Sequence, residues 1–89
     1  MARSAIVRAQ FRRDVKLAQK HGKNTAKLRE VILLLMEGRP LPSRLRDHPL
    51  GGQCKDCRDC HIEPDWLLIY RIDGDDLCLV RTGTHSDLF

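Results

Sequence analysis

The pattern of apolar and polar residues changes from a helical period to a strand period along the chain. In the first quarter, apolar residues recur at intervals of four and three, with basic residues between them, at Phe11, Val15 and Ala18. This spacing places the apolar side chains on one face of a helix. It predicts an amphipathic helix that begins near Ala9 and stops at Gly22, since glycine commonly ends helices.

A second helix is predicted after Asn24, because asparagine is a favoured N-cap residue. Its apolar stripe consists of Leu28, Val31, Ile32 and Leu35. The stripe ends at Gly38, and the two helices should form a hairpin. Residues 39–52 (RPLPSRLRDHPLGG) contain three prolines and a glycine pair, which exclude a continuous element. We therefore expect a loop that carries His48.

The rest of the chain has the character of strands. Apolar and polar residues alternate at 58–63, and residues 66–72 are rich in β-branched and aromatic side chains. A further apolar run at 77–81 follows a turn. Residues 4–8 could form a short first strand. Successive strands after successive helices predict an α+β fold, with two N-terminal helices packed on a small, mainly antiparallel sheet.

Length and charge limit the possible functions. With 89 residues, the chain fits one domain, residues 1–89. Residues 1–48 contain 12 Lys or Arg and 4 Asp or Glu, a net charge of +8, whereas residues 49–89 contain 4 and 8, a net charge of −4. The basic half is either a pair of solvated helix faces or a surface that binds RNA or another polyanion.

No run of apolar residues approaches the length that spans a membrane, and the N-terminus lacks the apolar core of a signal peptide. We therefore expect a cytoplasmic protein without a membrane partner. Three of the four cysteines fall within seven residues, which is not an even disulfide framework. Reduced thiols are expected in such a compartment.

The stretch CKDCRDCH at 54–61 offers two cofactor hypotheses. Its last five residues have the Cys-x-x-Cys-His spacing of c-type haem attachment. An extended strand would turn Cys57 and Cys60 to opposite faces, so the pair could not hold one porphyrin edge. Zinc could use Cys54, Cys57, Cys60 and His61, although these ligands are contiguous and the strand would separate them. We predict no metal and no cofactor, with a small metal or redox module as an alternative.

Three stretches carry a family resemblance: DHPL at 47–50, CHIEPDWLLIYRI at 60–72 and RTGTHSDLF at 81–89. They resemble the YafQ branch of the RelE/ParE superfamily of bacterial toxins, and the likeness extends over nearly the whole chain. The resemblance implies a ribosome-dependent endonuclease that cuts mRNA in the A site. It further implies a cognate acidic antitoxin, a monomeric free toxin, and two N-terminal helices on an antiparallel sheet.

The resemblance also implies a set of site residues, namely His48, His61, Asp65, Trp66, His85 and Phe89. RNA cleavage without a metal needs a base, an acid and a cation for the phosphate. Histidine can serve as acid or base at neutral pH, and one arginine can donate two parallel hydrogen bonds to phosphate oxygens. We expect His85 to be the general acid, the other two histidines and Asp65 to share the base and positioning roles, and Arg81 to contact the phosphate.

Base stacking is expected from Trp66 and Phe89, and ribosomal RNA contacts from Lys16, Lys20 and Lys23. Each has a structural alternative: Trp66 could be a core residue, Arg81 a solvated strand end, and the lysines a solvated face. A second function within the superfamily is inhibition of gyrase by binding, for which the histidine set would be unnecessary. The chain departs from the family at 54–57, where members usually carry a tryptophan and a tyrosine in place of the two cysteines.

Overall fold

The computed structural model describes residues 2–52 and 54–89 and shows an α+β fold, as the sequence predicts. The elements in chain order are β1 Ser4–Val7, α1 Ala9–Lys20, α2 Thr25–Met36, a 3₁₀ turn Ser43–Leu45, β2 His48–Pro49, β3 Cys57–Glu63, β4 Trp66–Asp73, β5 Asp76–Gly83 and α3 His85–Leu88. Within those residues, every helix is too short or too polar to cross a membrane.

The sheet has the strand order β1-β5-β4-β3-β2. Its three central strands form the antiparallel meander that the sequence predicts. The two outer strands differ from the prediction: β1 runs parallel to β5, and β2 extends the sheet antiparallel to β3. Both pairings join parts of the chain that are distant in sequence. The local pattern of apolar residues does not indicate such pairings.

The helices bury their apolar faces on one side of this sheet. Phe11 on α1 and Val31 on α2 join a core that includes Trp66, Leu68 and Leu79 of the central strands. Each such side chain contributes roughly 1.5–3 kcal/mol when it is removed from water. The predicted N-cap is confirmed at the start of α2, where the Asn24 side chain accepts a hydrogen bond from the backbone N–H of Ala26.

Residues 39–52 are more ordered than the prolines suggest. The 3₁₀ turn holds Leu45 in the core with 3% of its surface exposed, and Arg46 closes the turn in the left-handed region at φ 49°. His48 then lies in β2 rather than in a loop. The prediction of a loop around His48 was therefore wrong, because one buried leucine and pairing to β3 fix the segment.

The cysteines also depart from expectation. The sulfur atoms of Cys54 and Cys57 are bonded, whereas we predicted reduced thiols. Cys60 is fully buried in the core beneath the helices, and this burial raises the pKa of its thiol to about 12. Cys57 and Cys60 are three residues apart in one strand, so the predicted separation to opposite faces holds.

Candidate active site

Three of the four histidines lie side by side. His48 is on β2, His61 is on β3, and His85 is the first residue of α3. Ring centroids are 6.3 Å apart for His48 and His61 and 5.7 Å apart for His61 and His85. We call these three residues the histidine cluster. The fourth histidine, His21, follows α1 and lines a different pocket.

Strand register explains how distant residues meet. β2 places His48 directly opposite Asp59 of β3. Two residues further along β3, His61 pairs with Leu67 of β4, which in turn pairs with Gly83 of β5. Because α3 begins two residues after Gly83, His85 comes next to His61. The cluster therefore depends on pairing among four strands, β2 to β5.

The segment before His48 is held by side chains of the central sheet. The Tyr70 hydroxyl donates a hydrogen bond to Asp47 Oδ1 at 2.6 Å, and Arg58 donates from Nε and Nη2 to the same carboxylate at 3.2 and 3.3 Å. The hydrogen bond to Asp47 raises the pKa of Arg58. Burial, followed by the Asp47 contact, raises the pKa of Tyr70. The anchored carboxylate fixes the chain immediately before His48.

His48 itself contacts a second carboxylate. Its Nδ1 lies 2.8 Å from Asp59 Oδ1, and Asp59 has only 5% of its surface exposed. The ring nitrogen and the carboxylate oxygen are close enough for an ion pair, although they are not aligned as a hydrogen bond. A buried carboxylate at this distance can hold the orientation of the imidazole ring.

His85 is positioned from two sides. Thr84 and Asp87 form a reciprocal capping box at the start of α3, which fixes the first turn of this short helix. Asp65 Oδ1 then accepts hydrogen bonds from the backbone N–H of His85 at 3.0 Å and from its Nδ1 at 2.7 Å. These two hydrogen bonds lower the pKa of Asp65, which keeps this carboxylate ionised beside the ring.

His61 occupies the middle of the cluster. Its Nδ1 is buried and makes no hydrogen bond with any described residue. Unpartnered buried polar atoms are rare in folded proteins and often belong to functional sites. His61 therefore differs from its two neighbours, each of which faces a carboxylate.

A pocket of about 540 Å³ opens beside the cluster. The residues that line it are Arg44, Leu45, Arg46, His61, Ile62, Glu63, Pro64 and His85. Arg44 and Arg46 bring two exposed guanidinium groups to the same opening as two imidazoles. This combination fits an anionic ligand such as a phosphodiester, since arginine pairs well with phosphate oxygens.

Arg81 lies outside that pocket lining. Its guanidinium donates to Asp14 of α1, from Nε at 2.7 Å and from Nη2 at 3.2 Å. Asp14 also accepts a hydrogen bond from the backbone N–H of Thr82 at 3.2 Å. Burial raises the pKa of Asp14, but these bonds outweigh it and lower the pKa overall. A role of Arg81 on the phosphate stays a prediction.

The prediction that Trp66 offers a stacking face is wrong for this structure. Trp66 is 1% exposed, and its Nε1 donates a hydrogen bond to Thr82 Oγ1 at 3.0 Å, so the ring belongs to the core. Phe89 remains available, with 68% of its surface exposed and its ring centroid 6.4 Å from that of His85. Lys23, one of the predicted RNA contacts, forms an ion pair with Glu63, with its Nζ 3.3 Å from Oε1.

Lys16 and Lys20 are exposed on α1, as an RNA-binding role requires, and that role stays a prediction.

Sequence reasoning missed Asp59, Arg44 and Arg46. Asp59 had a signal, because it stands two residues before His61 and would share its face in a strand. The two arginines stood in a segment that we interpreted as a loop.

Residues arranged to bind a metal are not found in the parts of the chain that the structure describes: no group of three or more His, Cys, Asp or Glu side chains has a suitable geometry there. Of the four ligands of the zinc hypothesis, Cys54 and Cys57 are bonded to each other, and Cys60 is buried in the core. The absence of metal from the active protein remains a prediction.

Comparisons with known proteins show the family of this chain. A family model for a bacterial toxin of type II toxin-antitoxin systems, YafQ, matches residues 3–89. The mRNA interferase toxin YafQ of Escherichia coli strain K12 is 49% identical over 81 residues, which cover 90% of this chain and 88% of that protein.

Solved structures give the same result. A chain in the crystal structure of the E. coli DinJ-YafQ toxin-antitoxin complex is 46% identical with a TM-score of 0.93, and the match covers 100% of this chain and 99% of that one. A metal-bound toxin from Helicobacter pylori is 40% identical with a TM-score of 0.91 and full coverage of both chains. The chain described here therefore belongs to the YafQ family of bacterial toxins of type II toxin-antitoxin systems.

Proposed function

We propose that this protein is a ribosome-dependent endoribonuclease that cleaves translated mRNA by metal-independent acid–base chemistry. The observation that carries the proposal is the histidine cluster beside a pocket with two arginines. Acid, base and cation are the groups that RNA cleavage requires. The E. coli relative at 49% identity is named an mRNA interferase toxin, which supports the same reaction class.

The roles follow from the partners of each histidine. The ribose 2′-oxygen attacks the adjacent phosphorus, a base removes the 2′-hydroxyl proton, and an acid protonates the departing 5′-oxygen. His85 suits the acid, because Asp65 Oδ1 lies 2.7 Å from its Nδ1 and holds the ring in place beside the pocket. The Nδ1 atom of His61 has no hydrogen-bond partner among the described residues, and His61 suits the role of the base. His48, whose ring lies 2.8 Å from the buried Asp59 carboxylate, would position the nucleotide.

Ribosomal RNA would supply much of the binding energy. Exposed Lys16 and Lys20 on α1 can each displace counterions from an RNA phosphate, and this gain does not depend on base sequence. Such a protein must be restrained in its host. We propose an acidic antitoxin that covers the basic half, since opposite charge promotes association, and co-purification of a small acidic partner from the native host tests this.

A metal-dependent reaction is the rival mechanism, since the H. pylori relative is described as metal-bound. The two mechanisms differ in their response to a chelator. If the histidine cluster acts without a metal, cleavage of a programmed mRNA on isolated ribosomes should be unchanged by EDTA, after the chelator is balanced with magnesium to preserve the ribosomes. Loss of cleavage with EDTA, restored by a transition metal, would refute metal independence.

The decisive variant is His85→Ala. We expect its single-turnover cleavage rate on ribosomes to fall by roughly 10²–10⁴-fold, the usual contribution of a positioned acid or base. Ribosome binding should change little. The matched control is His21→Ala, which removes the exposed histidine outside the cluster. A folded His85→Ala protein that cleaves at the control rate removes His85 from the acid role, and a wild-type protein that cleaves no translated mRNA refutes the proposed function.

A further inference from the structure

A closely spaced cysteine pair, which the catalytic proposal does not use, lies where the chain enters β3. Cys54 and Cys57 are bonded, with Cα atoms 5.5 Å apart, which is a usual separation for disulfides. The backbone N–H of Cys57 donates to the Cys54 carbonyl at 3.3 Å, so the pair spans a tight turn. Asp56, inside this turn, has a left-handed backbone at φ 64°.

The two sulfur atoms differ in access to solvent. Cys54 is half-buried, whereas Cys57 has only 2% of its surface exposed. An external thiolate can therefore reach Cys54, and Cys57 is the sulfur that leaves. Thiol–disulfide exchange needs an accessible sulfur of this kind together with a nearby partner that can close the bond again.

The other cysteines cannot replace this pair. Cys60 is fully buried, and its pKa of about 12 compares with an ordinary value of 9.0. It therefore contains roughly 10³-fold less thiolate at neutral pH than an ordinary thiol. Cys78 is buried on β5, separated from β3 by the whole of β4.

The cysteine pair adjoins the strand that carries His48. β2 pairs with β3 at His48–Asp59 and Pro49–Arg58, and the next hydrogen bond runs from the Leu50 N–H to the Cys57 carbonyl at 2.8 Å. Cys57 thus ends the ladder that holds β2 on the sheet. A two-residue strand has little stability of its own, so any restraint at this end affects it.

We propose that Cys54 and Cys57 form a redox-active exchange site for low-molecular-weight thiols and disulfides of the glutathione class, and that closing the pair holds β2 on β3. On reduction, a thiolate attacks Cys54 Sγ and releases the Cys57 thiolate, which takes a proton. A second thiol then breaks the mixed disulfide. The protein gains two thiols while two molecules of the small thiol become one disulfide. Oxidation by the small disulfide reverses both steps.

Trypsin provides a clear assignment, because each cysteine falls in its own peptide. Cys54 lies in 47–55, Cys57 in 56–58, Cys60 in 59–71 and Cys78 in 72–81. After equilibration of the folded protein with oxidised and reduced glutathione, acid quenching and alkylation, we expect 47–55 and 56–58 to be linked in the oxidised sample and separately alkylated in the reduced one. Failure to link them in excess oxidised glutathione, or a dominant link to 59–71, overturns the proposal.

The effect on β2 is measured at the Leu50 amide by hydrogen exchange. Reduction should speed exchange of this amide by roughly 3–30-fold, since a bond that closes a short loop restrains local opening. Cys54→Ser should exchange fast with or without reductant, whereas Cys78→Ala, the matched control, should respond like the wild type. Equal Leu50 exchange in both redox states overturns the coupling. No step uses RNA, so this result is independent of the proposed nuclease activity.

Discussion

Asp14 links the first helix to the strand that leads into His85, and its removal offers a quantitative test of the structure. Its carboxylate accepts hydrogen bonds from the guanidinium of Arg81, from the buried backbone N–H of Thr82 and from Gln10. β1 pairs with β5 only as far as Leu79. The backbone N–H of Thr82 therefore has no pairing partner on β1. The Asp14 carboxylate accepts its hydrogen bond instead.

We expect Asp14→Ala to lower the free energy of unfolding by about 2–3 kcal/mol. An orphaned buried N–H costs roughly 1–3 kcal/mol. Loss of the Arg81 pair adds about 1 kcal/mol rather than the full value of a buried pair, because the Arg81 side chain is 35% exposed and water replaces part of the contact. The gain from no longer burying a carboxylate offsets some of this total.

Urea denaturation followed by circular dichroism is a suitable assay. With a slope of about 1 kcal/mol per molar urea for a small domain, the midpoint should fall by about 2–3 M. Asp14→Asn should cost less, since the amide oxygen can still accept from Thr82. The control is Lys16→Ala on the exposed face of the same helix, where a change within about 0.5 kcal/mol is expected.

The pH dependence provides an independent check of the same carboxylate. The folded-state pKa of Asp14 is lowered, so its stabilisation is fully present above the unfolded-state pKa of roughly 3.9. It is lost as the pH falls through the lower folded-state pKa. The stability difference between wild type and Asp14→Ala should therefore shrink below about pH 4. A difference under about 1 kcal/mol at pH 7, or one that grows as the pH falls, would refute the assigned role.

Two further predictions test single elements of the argument. Trp66→Phe should lower stability by about 2 kcal/mol in urea denaturation, since it removes a buried hydrogen-bond donor and ring volume, and a change in activity with no loss of stability would restore the stacking role. Lys16→Ala combined with Lys20→Ala should weaken ribosome binding and flatten its salt dependence in filter-binding assays, while cleavage at saturating ribosome stays near normal; an unchanged salt slope would place the RNA contacts elsewhere.

The sequence predicted those parts of the fold that have a local period. The spacing of Phe11, Val15 and Ala18 predicted the buried face of α1, and Asn24 predicted the start of α2. β2 could not be predicted, because two residues, one of them proline, have no period. α3 is also too short for a period, although Thr84 and Asp87 have the spacing of a capping box.

Of the candidate site, the three histidines and Asp65 followed from the family resemblance, whereas Asp59 beside His48 did not. Asp65 was included through the same resemblance, but its double contact with His85 depends on how β4 and α3 meet. Trp66 was misassigned because burial of an aromatic ring is set by tertiary packing, which one strand does not reveal. Arg44 and Arg46 were missed because their position depends on the anchoring of Leu45 in the core.

Two residues of the histidine cluster, His48 and His85, lie on very short elements of the fold, and side-chain bonds compensate for the size of these elements. β2 has two residues and α3 has four, so neither is stable alone. Tyr70 and Arg58 hold the carboxylate beside His48, and Asp65 holds the backbone of His85. Since these anchors come from β3, β4 and the turn that joins them, the sheet sets the relative positions of the histidines. A change in an anchor should therefore alter the geometry of cleavage before it unfolds the protein.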